Sequence, residues 1–290
     1  MVMLKISLLG SFQAWLGGNP VTSFESNKVR ALLAYLAVEI DRPHSRDTIA
    51  GLLWPDYPQD SARSNLRWAL SSLRRTINDY SPVDSSTNPP HLLVDRECVQ
   101  FNSLSDYWLD VSIFKGISGQ SDFASQPLEH PQIEHIIQAV AVFRGSFLEG
   151  FSLPDSAPFE EWVLLRREQL NRSYLHMLSQ LADYFESCGE FEQAQRYVWH
   201  QIELEPWQEE AHRQLMRLLV LSGRRSEAMN RYEVCRNLLL EGLGVEPSRE
   251  TRILYEQIRD GLLVSTSPIG AASRHAVENA TKPVFVGREK

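Results

Sequence analysis

The sequence holds 290 residues, 43% hydrophobic and 23% charged, with a formal net charge of −8. That length suits roughly two domains, and the composition is that of a folded protein rather than a disordered one. No run approaches the roughly 18 apolar residues that span a bilayer, and "MVMLKISLLG" is too short and too alternating for a signal peptide, so a cytoplasmic protein with no membrane partner is expected. The acidity does not exclude a polyanionic partner, because binding depends on where charge sits. Residues 1–80 carry nine Lys and Arg against seven acids, a net of +2, which leaves −10 for residues 81–290.

In chain order, "LKISLLGSFQAWLGGNPV" alternates loosely around a Gly-Gly-Asn-Pro turn and reads as short strands. "SNKVRALLAYLAVEI" is an amphipathic helix that Ser26 or Asn27 can cap, with Val29, Leu32, Leu33, Leu36 and Ala37 on one face. "SRDTIAGLLW" is a second helix with Ser45 at its N-cap, Asp47 in its first turn and Pro55 beyond its end. A third helix is expected from about Gln59 to Asn78, capped by Asp60 or a neighbour. At about 100° per residue, Ala62, Leu66, Ala69, Leu70, Leu73 and Ile77 form its apolar stripe. Arg63, Ser64, Arg67, Ser71, Arg74 and Arg75 share the opposite arc, with Asn65 and Ser72 nearer its far edge.

A solvated helix face usually interleaves Glu with Lys or Arg at i,i+4, whereas here only Asp60 and Asp79, at the ends, supply acid. Arginine suits both phosphates and guanine edges, and the major groove admits a helix, so double-stranded DNA is the better reading of this face. Trp68 points away from the core stripe; it either packs under a following hairpin or meets thymine methyl groups. After the polar stretch "SPVDSSTNPP", the segment "HLLVDRECVQFN" reads as two short strands around Asp95-Arg96-Glu97, a hairpin or wing. Strand, helix, helix, basic helix and hairpin is the order of a winged helix-turn-helix.

From Pro131 onward helical signals dominate. "PQIEHIIQAVAVFRG" is one helix ended at Gly145, and a long one runs from Pro158 to Gly189. Gly189, Ala194 and Val198 recur 34 residues later as Gly223, Ala228 and Tyr232, the tetratricopeptide period, with Pro206 closing the first unit. Stacked helix pairs of this kind offer surfaces to proteins.

No catalytic set is visible. Glu160 with Glu161, and Glu209 with Glu210, are adjacent carboxylates that the helix dipole explains, and His135, His176, His200 and His212 have no nucleophile or ligand set around them. Cys98, Cys188 and Cys235 are odd in number and far apart, which disfavours disulfides and zinc; they are read as small buried hydrophobes. The chain is not expected to be an enzyme and no metal is expected. "VSTSPIGAASRHAVENATKPVFVGREK" loses periodicity and reads as a linker.

The segments "RALLAYLA", "SRDTIAGLLWPD", "ARSNLRWALSSLRR", "FRGSFLEGF", "FEEWVLLRREQL", "EPWQEEAHRQLMRLLVLSGRRSEAMNRYEVCRNLL" and "LGVEPSRETRILYEQI" together resemble the SARP-type antibiotic regulatory activators. The resemblance covers about residues 3–262 and implies a mainly α chain. It comprises an OmpR-like winged helix-turn-helix (1–108), an all-α, tetratricopeptide-like bacterial transcriptional activation domain (109–262), and a linker with the start of a truncated ATPase domain (263–290). It implies an activator that binds direct repeats at promoters, with two copies side by side, and recruits RNA polymerase partly through its sigma factor. Carried over by position, Arg63, Ser64, Arg67, Trp68, Ser71, Arg74 and Arg75 form the reading face, with Arg96 on the wing and Arg46 on a phosphate.

The terminal "PVFVGREK" looks like the entry to the ATPase of larger, AfsR-like members. No GxxxxGK[ST] loop lies within the sequence, so no cofactor is expected in this chain, and the resemblance implies ATP only for the downstream domain of such larger members. No receiver segment with a phosphoacceptor aspartate is expected ahead of the winged helix. The alternative to a DNA reader is a protein-interaction scaffold acting through the helical repeat.

Overall fold

The computed structural model describes residues 3–79, 89–118 and 130–263. The expected linker and ATPase entry lie outside the described residues, as does most of "SPVDSSTNPP". The described chain is mainly helical, with ten helices and seven short strands, and divides into two compact units, Met1–Glu205 and Pro206–Lys290. Among the described residues no helix is long and apolar enough to cross a membrane, and no group of His, Cys, Asp or Glu is arranged to hold a metal.

The first unit opens with β1 (Leu4–Ser7), β2 (Gln13–Leu16) and β3 (Asn19–Pro20), the last two joined at Gly17 and Gly18 of the expected turn. β1 and β2 pair antiparallel with Leu4 opposite Leu16. On its other side β1 pairs parallel with β7 (Tyr107–Leu109), giving the order β3-β2-β1-β7. β7 and the helix after it, α4 (Asp110–Ser118), lie in a region where no element was expected. Asp110 holds them to the sheet: its buried carboxylate accepts the backbone N–H groups of Leu8, Leu9 and Val111.

α1 (Asn27–Val38) is capped by Ser26 and buries nine of its twelve residues. α2 (Arg46–Leu53) is capped by Ser45, whose side chain accepts the Thr48 N–H. α3 (Gln59–Thr76) follows with no side-chain cap, its N-cap position being Pro58 rather than Asp60. α3 ends in a Schellman turn, with Asn78 left-handed (φ 52°), its N–H on the Arg75 carbonyl and the Asp79 N–H on that of Arg74.

The second sheet has the order β4-β6-β5, from β4 (His44–Ser45), β5 (Leu92–Val94) and β6 (Cys98–Phe101). β5 and β6 form the expected hairpin, with Leu92 opposite Phe101. Two links fix it against the helices: β4, just before α2, pairs with β6, and the buried Asp79 carboxylate accepts the His91 and Leu92 N–H groups.

α5 (His130–Val142), α6 (Ala157–Ser187) and α7 (Phe191–Leu204) complete this unit. They do not stand apart from the N-terminal elements. Trp162 of α6 lies 5.2 Å from the Tyr35 ring and 5.6 Å from Phe147, and its Nε1–H donates to Glu39 at the end of α1. The Ser156 hydroxyl caps the Leu52 carbonyl at the end of α2. The compact division by packing falls after residue 205.

The second unit contains α8 (Glu209–Leu221), α9 (Arg225–Leu243) and α10 (Arg249–Arg259). The repeated residues do the same work in both units. Gly189 (φ 77°) and Gly223 (φ 76°) each end a helix in a Schellman turn, a conformation that a Cβ disfavours. Ala194 and Ala228 are fully buried, and Val198 and Tyr232 are buried with them. The expectation of uniformly buried cysteines is corrected: Cys235 is buried, Cys98 half-buried and Cys188 exposed at the end of α6.

Candidate nucleic-acid interface

α3 buries Ala62, Leu66, Ala69, Leu70 and Leu73 as its periodicity requires, and Ile77, just past its end, with them. The remaining surface is two strips. Arg63, Arg67 and Arg74 lie along one at i, i+4 and i+11, with the buried Leu70 beneath it at i+7. Ser64, Trp68, Ser71 and Arg75 form the other at the same spacing.

The first strip borders a cleft of about 410 Å³ whose walls include Arg46, Arg63, Arg67 and Arg96, with Asp47 and Glu97 as the acids. Beside it a hollow of about 350 Å³ is lined by Arg46, Arg67, Ser71 and Arg74, with Leu70 and Val94 and no acid. Arg46 and Arg67 border both. Residues from α2, α3 and the hairpin, up to 51 positions apart in sequence, thus meet in one basic valley.

Several of these guanidinium groups are already oriented by the protein. Arg63 forms a two-bond pair with Asp47, Nε to Oδ1 at 2.6 Å and Nη2 to Oδ2 at 2.7 Å. That hydrogen bond holds the Asp47 carboxyl below the usual carboxylate range. Arg46 donates from Nε and Nη2 to the Asp95 carbonyl at the hairpin tip. The tip is itself braced by the Asp95 carboxylate, which accepts the Cys98 and Glu97 N–H groups and is held low by them. Arg74 donates to the Asp79 carbonyl, and Arg75 pairs with Glu25 at 3.1 Å. Arg67 donates to the Ser64 hydroxyl at 3.3 Å and is otherwise exposed.

The structure thus brings Arg46, Arg63, Arg67, Ser71, Arg74 and Arg96 to the valley and leaves Ser64, Trp68 and Arg75 on the neighbouring open strip. Trp68 is 49% exposed and borders neither hollow, so it is not seated under the hairpin. Ser72, expected near the polar edge, is 1% exposed. Sequence reasoning missed Asp47 as a partner of Arg63. Its only local signal was its place in the first turn of α2, which the helix dipole already explains.

Residues 109–259 match the bacterial transcriptional activator domain family. The chain is 26% identical over 261 residues to the transcriptional regulatory protein EmbR of Mycobacterium tuberculosis, covering 88% of this chain and 63% of EmbR. It is 25% identical to the regulatory protein AfsR of Streptomyces griseus, over 98% of this chain and 28% of AfsR. It is also 25% identical to the transcriptional regulatory protein MoaR1 of Mycobacterium tuberculosis, over 88% of this chain and 79% of MoaR1. The solved structure of Mycobacterium tuberculosis EmbR in complex with a low-affinity phosphopeptide has a similar fold, with a TM-score of 0.68 at 22% identity over 90% of this chain and 66% of that one. The chain thus spans less than two thirds of EmbR and about a quarter of AfsR. The family match covers more than half of the sequence, and the chain belongs to the SARP-type transcriptional regulators that carry a bacterial transcriptional activator domain.

Proposed function

We propose that the chain is a sequence-specific DNA-binding transcriptional activator acting in the cytoplasm, without catalytic activity of its own. Residues 1–108 act as an OmpR-like winged helix-turn-helix: α3 enters the major groove and the β5–β6 hairpin meets the neighbouring minor groove. Arg46 and Arg74 serve phosphates, while Arg63, Arg67, Ser71 and Arg75 face the bases with Ser64 and Trp68, and Arg96 acts from the wing. Two copies bind side by side on direct repeats. Residues 109–262 recruit RNA polymerase, partly through its sigma factor.

The observation that carries this reading is the basic valley shared by α2, α3 and the hairpin, within a chain whose net charge is −8. Six of the nine residues expected from sequence border it, and three of the four arginines of α3 are among them. The twofold Arg–phosphate and Arg–guanine chemistry suits this arrangement: cations along one helix, with more cations beside it for the backbone.

The test is selection of genomic fragments with the 290-residue chain, then titration of the winning fragment at several salt concentrations. A directly repeated motif is expected, with log K falling against log salt by about 0.9 for each phosphate neutralised. Arg67→Ala should cost about 1–3 kcal/mol and relax one position of the site if it reads a base. Weak, unselective binding that Arg67→Ala leaves unchanged would favour the scaffold reading and direct attention to the helical repeat.

A further inference from the structure

The Asp47–Arg63 pair occupies an unusual place for a surface ion pair. Arg63 is the fifth residue of α3, and the N-terminal part of a recognition helix is where side chains reach base edges. Asp47 sits on α2, sixteen residues earlier, and reaches over to it across the cleft. A guanidinium carries five N–H donors in a rigid plane. Asp47 takes the Nε–H and one Nη2–H, and so grips Arg63 along one edge. The two Nη1–H groups and the second Nη2–H remain, and one of the Nη1–H groups forms with that Nη2–H the terminal edge, directed away from the carboxylate.

That leftover edge has the two-donor geometry that matches O6 and N7 of guanine. The same edge fits a phosphate, but the carboxylate changes the balance. A phosphate is rewarded by net positive charge, which Asp47 cancels at this position; a guanine edge is neutral and is rewarded by directed donors. Gln59 steadies the arrangement, its Nε2–H donating to Asp47 Oδ2 at 3.4 Å. Arg46, in the same cleft, has no carboxylate bonded to it among the described residues, and it supplies unbalanced charge for the backbone.

Resting on the reading of α3 as the DNA-contacting helix, we propose that Asp47 is a specificity-determining, positioning residue: it clamps Arg63 so that the free edge of the guanidinium reads a guanine rather than a phosphate. Asp47 does not touch DNA in this arrangement. It acts through Arg63 alone.

The experiment compares the 290-residue wild-type chain with Asp47→Ala, Asp47→Asn and Arg63→Ala on the selected duplex, on each of its single base-pair variants and on an unrelated duplex, at two salt concentrations. Asp47→Asn retains the side-chain volume and one acceptor, and thermal melting checks that every variant is folded. The expected result is loss of discrimination at one G·C pair, about five- to a hundredfold, at the same position in Asp47→Ala and Arg63→Ala. Asp47→Ala should at the same time bind the unrelated duplex more tightly, with a salt slope steeper by about one, since a cation is freed for a phosphate. A folded Asp47→Ala or Asp47→Asn chain that keeps the wild-type preference at every position overturns the inference. If Arg63→Ala relaxes a position and the two Asp47 variants do not, the DNA-binding reading stands and this inference alone falls. If the wild type selects no sequence, the reading beneath it falls as well.

Discussion

His212 shows how burial turns an ordinary-looking residue into a structural part. The sequence offered it as one of several scattered histidines. In the second compact unit it is fully buried, with Nε2 on the Pro206 carbonyl and Nδ1 facing Arg231 Nε at 3.0 Å. A guanidinium can only donate, so Nδ1 accepts and the ring is neutral with its proton on Nε2. Burial pushes its pKa from 6.5 down to about 4; Arg231 adds to the shift, while the Pro206 carbonyl and Glu209 oppose it. The unfolded chain binds the proton near pH 6.5 and the folded chain only near 4, so this contribution is whole above pH 6.5 and disappears as pH falls toward 4. Thermal or urea unfolding from pH 7.5 to 4.5 should show a loss of roughly 3 kcal/mol attributable to His212. His212→Gln should be less stable at pH 7.5 and should lack that part of the pH slope. An equal slope in the variant would assign it to carboxylates.

At the scale of the element, α3 is governed by its periodicity on three sides and by its neighbours on the fourth. The apolar stripe, the arginine strip and the serine-tryptophan strip all follow from about 100° per residue. Ser72 does not. By its own wheel it lies opposite the arginine strip, on an edge that an isolated helix would leave wet, yet the fold covers it. Its Oγ is buried with no hydrogen-bond partner among the described residues. An unsatisfied buried hydroxyl costs about 1–3 kcal/mol. Ser72→Ala is therefore expected to raise stability by about 1 kcal/mol without changing DNA affinity, as equilibrium unfolding and a binding titration would register. Destabilisation would show that Ser72 has a partner, such as a bound water.

The ends of the elements were legible for a simpler reason. Ser45 caps α2 as read, and Ser26, one of the two candidates offered, caps α1, because an N-cap needs one side-chain oxygen at one place in the sequence. Gly189 and Gly223 stop α6 and α8 by the same kind of local rule.

At the scale of the molecule, the N-terminal elements and the first helices of the activator domain share one core. Burial alone would raise the Glu39 carboxyl, but hydrogen bonds from Trp162 and Arg166 hold it below the usual range, so this joint between α1 and α6 stays ionised and paired at neutral pH. Phe147 and Phe159, from the segment beyond residue 108, are among the largest fully buried side chains. A fragment of residues 1–108 loses these, the Asp110 anchor and the Ser156 bond to Leu52. We expect it to lose the cooperative melt of a 1–205 fragment or to melt well below it, as calorimetry or circular dichroism would show. A 1–108 fragment as stable as 1–205 would mean that these contacts contribute little.

The sequence by itself determined the mainly helical character, the three helices and hairpin of the first hundred residues, the 34-residue repeat and the concentration of arginine on α3. These depend on periodicity, caps and turn residues, which act over a few neighbours. Tertiary structure alone decided that β7 joins β1, that the compact division falls after Glu205, that Ser72 is covered and that Asp47 clamps Arg63. Each of those is a contact between residues far apart in the chain, and no local rule of spacing encodes which distant partner will fill a given face.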